Sequence, residues 1–196
     1  HKGCNAMKPR VLFVARTRYR LPLSLTLQRR FDALSTALEW RQFGTSLDGS
    51  PVRNDRFTLV RRLPFGPLEG ASFYVALPGR VVRELRSFHP DLVIVQGAQD
   101  AALTMLARAV ARDCAPIVYD VHGDWRTDTR LYGSPLRRVL SPVTDRVARH
   151  VVRSADGVRT VSGFTSRLVR EVGVEPTATF PAYMDLEPFT ATAPVA

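Results

Sequence analysis

The sequence predicts an α/β fold: a single Rossmann-like domain built on a doubly wound parallel sheet with helices on both faces. Three observations carry that expectation. The runs at residues 10–15 and 92–96, centred on Val11, Leu12, Phe13 and Val14 and on Leu92, Val93, Ile94 and Val95, have the unbroken hydrophobicity of strands buried on both sides. Between residues 92 and 120 a strand, a helix and a second strand follow at the length of a βαβ crossover, whose right-handed connection makes a parallel sheet. Strand-like and helix-like periods then alternate along most of the chain.

In chain order, the strand at 10–15 is followed by a helix over 23–38, with Leu23, Leu27, Phe31, Leu34 and Leu38 at helical spacing. Weaker strands at 39–43 and 57–61 flank a polar loop, 44–56, that contains Gly49, Ser50 and Pro51. Residues 72–88 read as a helix with a break or kink at Pro78 and Gly79, because proline removes a backbone donor and clashes with the preceding turn. His89 and Pro90 end it. After the strand at 92–96 comes a helix over 101–111, with Ala102, Met105, Leu106, Ala109 and Val110 on one side, and a strand at 116–120. A helix over 134–153 sets Leu136, Val139, Leu140, Val143, Val147 and Val151 on one face and Arg138, Arg146, Arg149 and Arg153 on another, with a bend at Pro142. A strand at 157–161, a helix capped by Ser162 and a last strand at 177–180 complete the pattern, and the chain exits at Pro181.

With 196 residues the chain is long enough for one well-buried core and short for two of this type. Apolar residues make up 45% and no apolar run approaches the ~18 that would span a bilayer, so a soluble domain is expected. Cys4 and Cys114 are too few and too far apart for a disulfide framework or a cysteine zinc site; reduced thiols, a cytoplasmic setting and a buried Cys114 are expected. Residues 1–6, before Met7, read as an expression scar. Lys2 and Lys8 are the only lysines, and the formal charge of +10 rests on arginine. That charge favours anionic partners such as phosphates or an acidic lipid surface. Nucleic acid is not expected, because no zinc knuckle, helix-turn-helix spacing or aromatic-rich basic strand accompanies the charge.

Ligands of open parallel sheets lie beyond the carboxyl ends of the strands, which singles out four loops. After the first strand Arg16, Arg18 and Arg20 alternate, so an extended segment would present three guanidinium forks to a phosphate or carboxylate; a solvated loop is the plain alternative. No Gly-x-Gly-x-x-Gly follows that strand, which argues against a nicotinamide cofactor, and no cofactor is expected. After 92–96, Gly97 permits close backbone approach while Gln99 and Asp100 can cap the helix or bind a hydroxyl. After 116–120, His122 stands at a strand end as a candidate general base or donor, beside Asp124 and Trp125, which could hydrogen-bond to a ligand and stack on its apolar side. Asp120, His122 and Asp124 could also share a face and hold a divalent metal, but Gly123 is expected to break the strand, and no metal site is predicted. Ser162 is read first as a helix cap, with an anion at that helix N-terminus second.

The stretch from Ser154 to Ser162, with Ala155, Asp156, Val158 and Val161, and the exit from Phe180 and Pro181 to Asp185 and Phe189 together resemble the end of the N-terminal domain of GT-B glycosyltransferases of family 4. There "ad-x-v-x-x-vS" precedes a helix and "vipNgvD-x-x-x-F" leads to a second domain; here Ala182 and Tyr183 replace Asn-Gly. His122 followed by Gly123 is similar to the family's "p-x-v-x-x-x-Hg", where the histidine faces the cleft. The resemblance implies one half of a GT-B fold over residues 7–185, with an interdomain linker beginning at 186–196. It also implies an acceptor-binding domain of a retaining, nucleotide-sugar-dependent transferase, inactive alone, whose donor-binding half and diphosphate contacts lie elsewhere. His122 would be the catalytic contact. A sugar or lipid-linked acceptor, and peripheral contact with the inner face of a membrane, go with that reading. A sugar-nucleotide epimerase of the same fold and a non-catalytic Rossmann-like binding module remain as alternatives.

Overall fold

The apolar run after residue 10 becomes the centre of an eight-stranded sheet in the computed structural model, which describes residues 7–48, 51–61, 71–125 and 141–182. The elements are β1 (Arg10–Tyr19), α1 (Leu25–Ala37), β2 (Glu39–Ser46), β3 (Val52–Arg53), β4 (Phe57–Val60), α2 (Ala71–Phe88), β5 (Leu92–Gln96), α3 (Ala98–Ala111), β6 (Ile117–Val121), α4 (Ser141–Ser154), β7 (Gly157–Thr160), α5 (Gly163–Arg170) and β8 (Ala178–Thr179). The strands lie in the order β3-β4-β2-β1-β5-β6-β7-β8. All neighbours are parallel except β3 and β4. From β1 the chain winds outward to β2 and β4, returns through α2 to β5 on the other side of β1, and continues outward to β8. The winding reverses between β1 and β5, where an open sheet leaves a crevice.

Right-handed crossovers place α1 on one face and α2 to α5 on the other. The main core lies under the latter, where Leu12, Val14, Val93, Val95, Ile117, Tyr119 and Val121 meet Phe73, Leu77, Val81, Leu85, Ala148, Val151 and Leu168. An aromatic cluster of Tyr19, Phe31, Trp40 and Phe57 lies under α1, with Phe31 stacked on Trp40 at 4.4 Å between centroids. Among the described residues, α1 is the one helix on its face.

Several sequence expectations change. The first strand does not stop at Ala15; it runs to Tyr19, so the arginine segment belongs to a strand. It can do so through a bulge: Val14 pairs with Phe43 and Arg18 with Thr45, so that three β1 residues oppose Gly44 alone. A Cβ on Gly44 would lie 3.0 Å from the Thr17 carbonyl oxygen, and only glycine leaves room for the bulge. The loop at 44–56 also contains β3. Pro78 does not break its helix, and α2 runs through it. α3 starts three residues before the expected position and turns the other way: Ala98, Asp100, Ala101, Thr104 and Ala107 are buried, while Leu106 and Val110 are more than half exposed. Small side chains seat this helix closely between its neighbours α2 and α4, which periodicity alone does not reveal. Cys114 is exposed, not buried. Pro142 is the second residue of α4, where its missing N–H costs nothing, and residues 134–140 of the expected helix lie outside the described residues. So do Asp185 and Phe189 of the exit motif.

Candidate functional site

β5 and β6 are in register so that Gln96 lies beside Asp120, and β6 and β7 so that Asp120 lies beside Arg159. Parallel pairing therefore sets an amide, a carboxylate and a guanidinium in one row at the carboxyl end of the sheet, on the face opposite the main core. Asp120 is 4% exposed as a side chain, and such burial is tolerable only with full pairing. Both carboxylate oxygens lie 2.7 Å from Arg159 Nη1. The Oδ2 atom also lies 2.7 Å from His122 Nε2, and Gln96 Nε2 reaches it at 3.4 Å. Burial pushes the Asp120 pKa up, but the hydrogen bond with His122 and the paired Arg159 guanidinium outweigh it and hold the carboxyl below its ordinary value.

An ionised Asp120 requires the proton of a neutral His122 to sit on Nε2. The 3.2 Å contact between Gln96 Nε2 and His122 Nε2 is then two donors side by side, converging on the same oxygen. Nδ1 has no partner among the described residues, and the ring is 41% exposed. His122 thus has Nε2 held by Asp120 and turns Nδ1 to the rim of a cleft of about 210 Å³. Gly97, Gln99, Tyr119 and Trp125 line that cleft as well.

The nominated residues divide accordingly. Gly97, Gln99, His122 and Trp125 share the cleft, although Trp125 is 8% exposed and offers little of its indole face. Asp124 is half-buried and does not line it. Arg16, Arg18 and Arg20 do not line it: the Arg16 guanidinium sits 5.8 Å over the Tyr74 ring, and Arg20 pairs with Asp48 at 3.0 Å. Ser162 is engaged in a reciprocal cap, its side chain accepting from the Thr165 amide at 3.3 Å while Thr165 Oγ1 accepts from the Ser162 amide at 3.1 Å. Among the described residues no group of three or more His, Cys, Asp or Glu is arranged to hold a metal, and Asp120 faces a guanidinium instead.

Arg159 is the residue that sequence reasoning missed. Its signal was present, a charged residue inside the short strand of residues 157–160, but the partner becomes visible only when β7 is laid beside β6. Asp100 is a second feature of the crevice. It is 4% exposed, and its Oδ2 accepts from the Arg16 backbone amide at 3.1 Å. Burial raises its pKa to about 7 against the opposing pull of the Arg16 amide and charge. A larger cavity of about 1030 Å³ lies at the opposite, amino ends of β1 and β2, lined by Arg10, Glu39, Trp40 and Phe88. It is remote from the switch point, and Arg10 there pairs with Glu39.

Among known proteins, residues 41–187 match the family described as Glycosyltransferase Family 4. No curated protein sequence matches the chain. Of the solved structures, sucrose-phosphate synthase from Thermosynechococcus elongatus superposes with a TM-score of 0.65 at 11% identity, over 92% of this chain and 49% of that one. UDP-N-acetylglucosamine 2-epimerase from Rickettsia bellii gives 0.55 at 17% identity, over 89% and 44%. The epimerase from Neisseria meningitidis, solved bound to UDP-GlcNAc, gives 0.55 at 14%, over 88% and 45%. The chain therefore spans about half the length of these neighbours, and its fold is that of one Rossmann-like half of a GT-B protein.

Proposed function

Because the chain belongs to glycosyltransferase family 4, we propose that it is the acceptor-binding half of a retaining, nucleotide-sugar-dependent glycosyltransferase, inactive without a donor-binding domain. The observation that carries the reading is His122 held by Asp120 at the rim of the cleft beyond β5 and β6. At about 210 Å³ this cleft is smaller than the ~300–1,000 Å³ usual for a pocket that encloses a whole ligand, as one wall of a two-domain site would be. In the transfer, the bond from the anomeric carbon to the leaving diphosphate breaks, a bond to the acceptor oxygen forms, and the proton of the acceptor hydroxyl passes to the departing diphosphate. His122 contributes a hydrogen bond to a hydroxyl in that transition state. The acceptor is a sugar or a lipid-linked molecule. The arginine side of α4, with Arg146 and Arg149 exposed, would touch anionic lipid at the cytoplasmic face of a membrane.

The test is transfer of label from a nucleotide-sugar panel to sugar and lipid-linked acceptors by the longer protein containing this chain. Calorimetric titration of the 196-residue chain with the same panel accompanies it. Acceptor-dependent transfer, with only weak donor binding by the chain alone, is expected; micromolar donor binding by the chain alone would place the donor site here and overturn the reading. The epimerase neighbours favour one alternative, isomerisation of a sugar nucleotide without any acceptor. Proton NMR of UDP-GlcNAc incubated with the longer protein distinguishes the two, since a new sugar nucleotide would form with no acceptor added.

A further inference from the structure

A guanidinium at the edge of a buried carboxylate is common, but Arg159 is bound on two sides. Its Nη1 holds both oxygens of Asp120, while Nη2 donates to the carbonyl oxygens of Phe180 at 3.0 Å and Pro181 at 3.1 Å. The Phe180 ring lies 4.0 Å from the guanidinium carbon, and the Arg159 side chain is 13% exposed. One rigid fork thus joins the partner of His122 to the chain as it leaves β8.

We propose that Arg159 is a positioning residue for His122. Through Asp120 it keeps the imidazole with a single proton, on Nε2, so that Nδ1 accepts a hydrogen bond; through Phe180 and Pro181 it makes that setting depend on where the outgoing chain lies. The use of Nδ1 for a sugar hydroxyl rests on the glycosyltransferase reading, whereas the proton state of the ring does not. The physical argument is charge balance in a buried place. Asp120 and Arg159 together are neutral, so the imidazole need supply only one N–H. Without the guanidinium a buried, unbalanced carboxylate draws a second proton onto the ring. An imidazolium donates from both nitrogens and offers nothing to the proton of a hydroxyl. The polarity of the site is therefore set from the neighbouring strand, by a residue that does not line the cleft. A shift of the Phe180–Pro181 segment would withdraw two acceptors and an aromatic face from the guanidinium that also holds Asp120.

The experiment is nitrogen-15 NMR of the His122 ring in the 196-residue chain at neutral pH, with His122→Gln for assignment, combined with hydrogen exchange of the Phe180 amide, which donates to the Thr160 carbonyl at 3.1 Å. The wild type should show one protonated and one unprotonated ring nitrogen. Arg159→Gln should show both protonated, with Phe180 exchanging about tenfold faster or more. Arg159→Lys, which restores the charge but not the fork, should return the ring to the wild-type pattern and leave Phe180 fast. An unchanged ring in folded Arg159→Gln, or a lysine variant that fails to restore it, overturns the proposal. Should the glutamine variant not fold, the lysine variant decides alone: the wild-type ring pattern with fast Phe180 exchange supports the proposal, and any other result overturns it. Because no substrate is involved, loss of the transferase reading and loss of this device are separate outcomes.

Discussion

The Asp100 carboxylate accepts a hydrogen bond from the Arg16 backbone amide at 3.1 Å and so pins the first turn of α3 to β1 at the point where the sheet reverses its winding. A protonated carboxyl and an ionised one differ in how well they serve there. Burial raises its pKa from 3.8 to about 7. The unfolded chain gives up this proton near pH 4 and the folded chain near pH 7, so between those limits the native state binds more protons. Stability from this group is then greatest below pH 4 and is lost as pH rises to 7.

Asp100→Asn mimics the protonated carboxyl at every pH. Relative to wild type it should be nearly neutral at pH 4 and stabilising by ~2–4 kcal/mol above pH 7, on the scale of 1.36 kcal/mol per unit of pKa. Urea unfolding of both proteins at three pH values checks this, and a constant difference across the range would exclude it.

Gly97 precedes the same helix turn at φ +90°, and a Cβ there would lie 3.1 Å from Asp100 Oδ2. Gly97→Ala should cost ~1–3 kcal/mol from the backbone conformation alone. Combined with Asp100→Ala, which removes the clash, the loss should be less than the sum of the two. Additive losses in thermal or urea unfolding would mean that the two positions are not coupled.

His122→Ala in the longer protein should lower kcat by about a hundredfold, the scale of removing one transition-state hydrogen bond. Its side chain is 41% exposed and Arg159 still neutralises Asp120, so the melting temperature should move little. Near-normal turnover would remove His122 from the chemistry. Lost turnover with a collapsed melting temperature would assign it a structural role instead.

Replacing Arg16, Arg18 and Arg20 together by glutamine tests recognition of an anionic acceptor at the edge of the crevice. In the longer protein the acceptor's KM should rise more than the donor's. Since Arg20 already pairs with Asp48 and the Arg16 guanidinium lies over Tyr74, the single variants should differ in effect. Equal changes for both substrates, or none, would place the acceptor elsewhere.

The β5, α3 and β6 unit was legible in the sequence because a strand buried on both faces must be apolar throughout and a crossover helix has a minimum length. The extension of β1 was not, since Arg16 and Arg18 read as loop until Gly44 is seen to admit a bulge. The face of α3 was misread because leucines at helical spacing usually point inward, whereas close packing here selects alanine and threonine and leaves Leu106 outside. At the site, the placement of His122 and Gly97 just beyond strands was legible. Arg159 was not, because a cross-strand pair is a property of register, and register cannot be read from one strand at a time.

The two margins of the sheet carry a further consequence. Among the described residues, β3 and β8 form its outer ends and are two residues long each. A margin that short exposes few free N–H and C=O groups in line, too few to template the addition of a strand from another molecule. The long apolar strands β1, β5 and β6 are all interior. The folded domain should therefore resist edge-to-edge aggregation, and whatever tendency it has to aggregate should belong to partly unfolded molecules in which β1 or β5 has lost its neighbours.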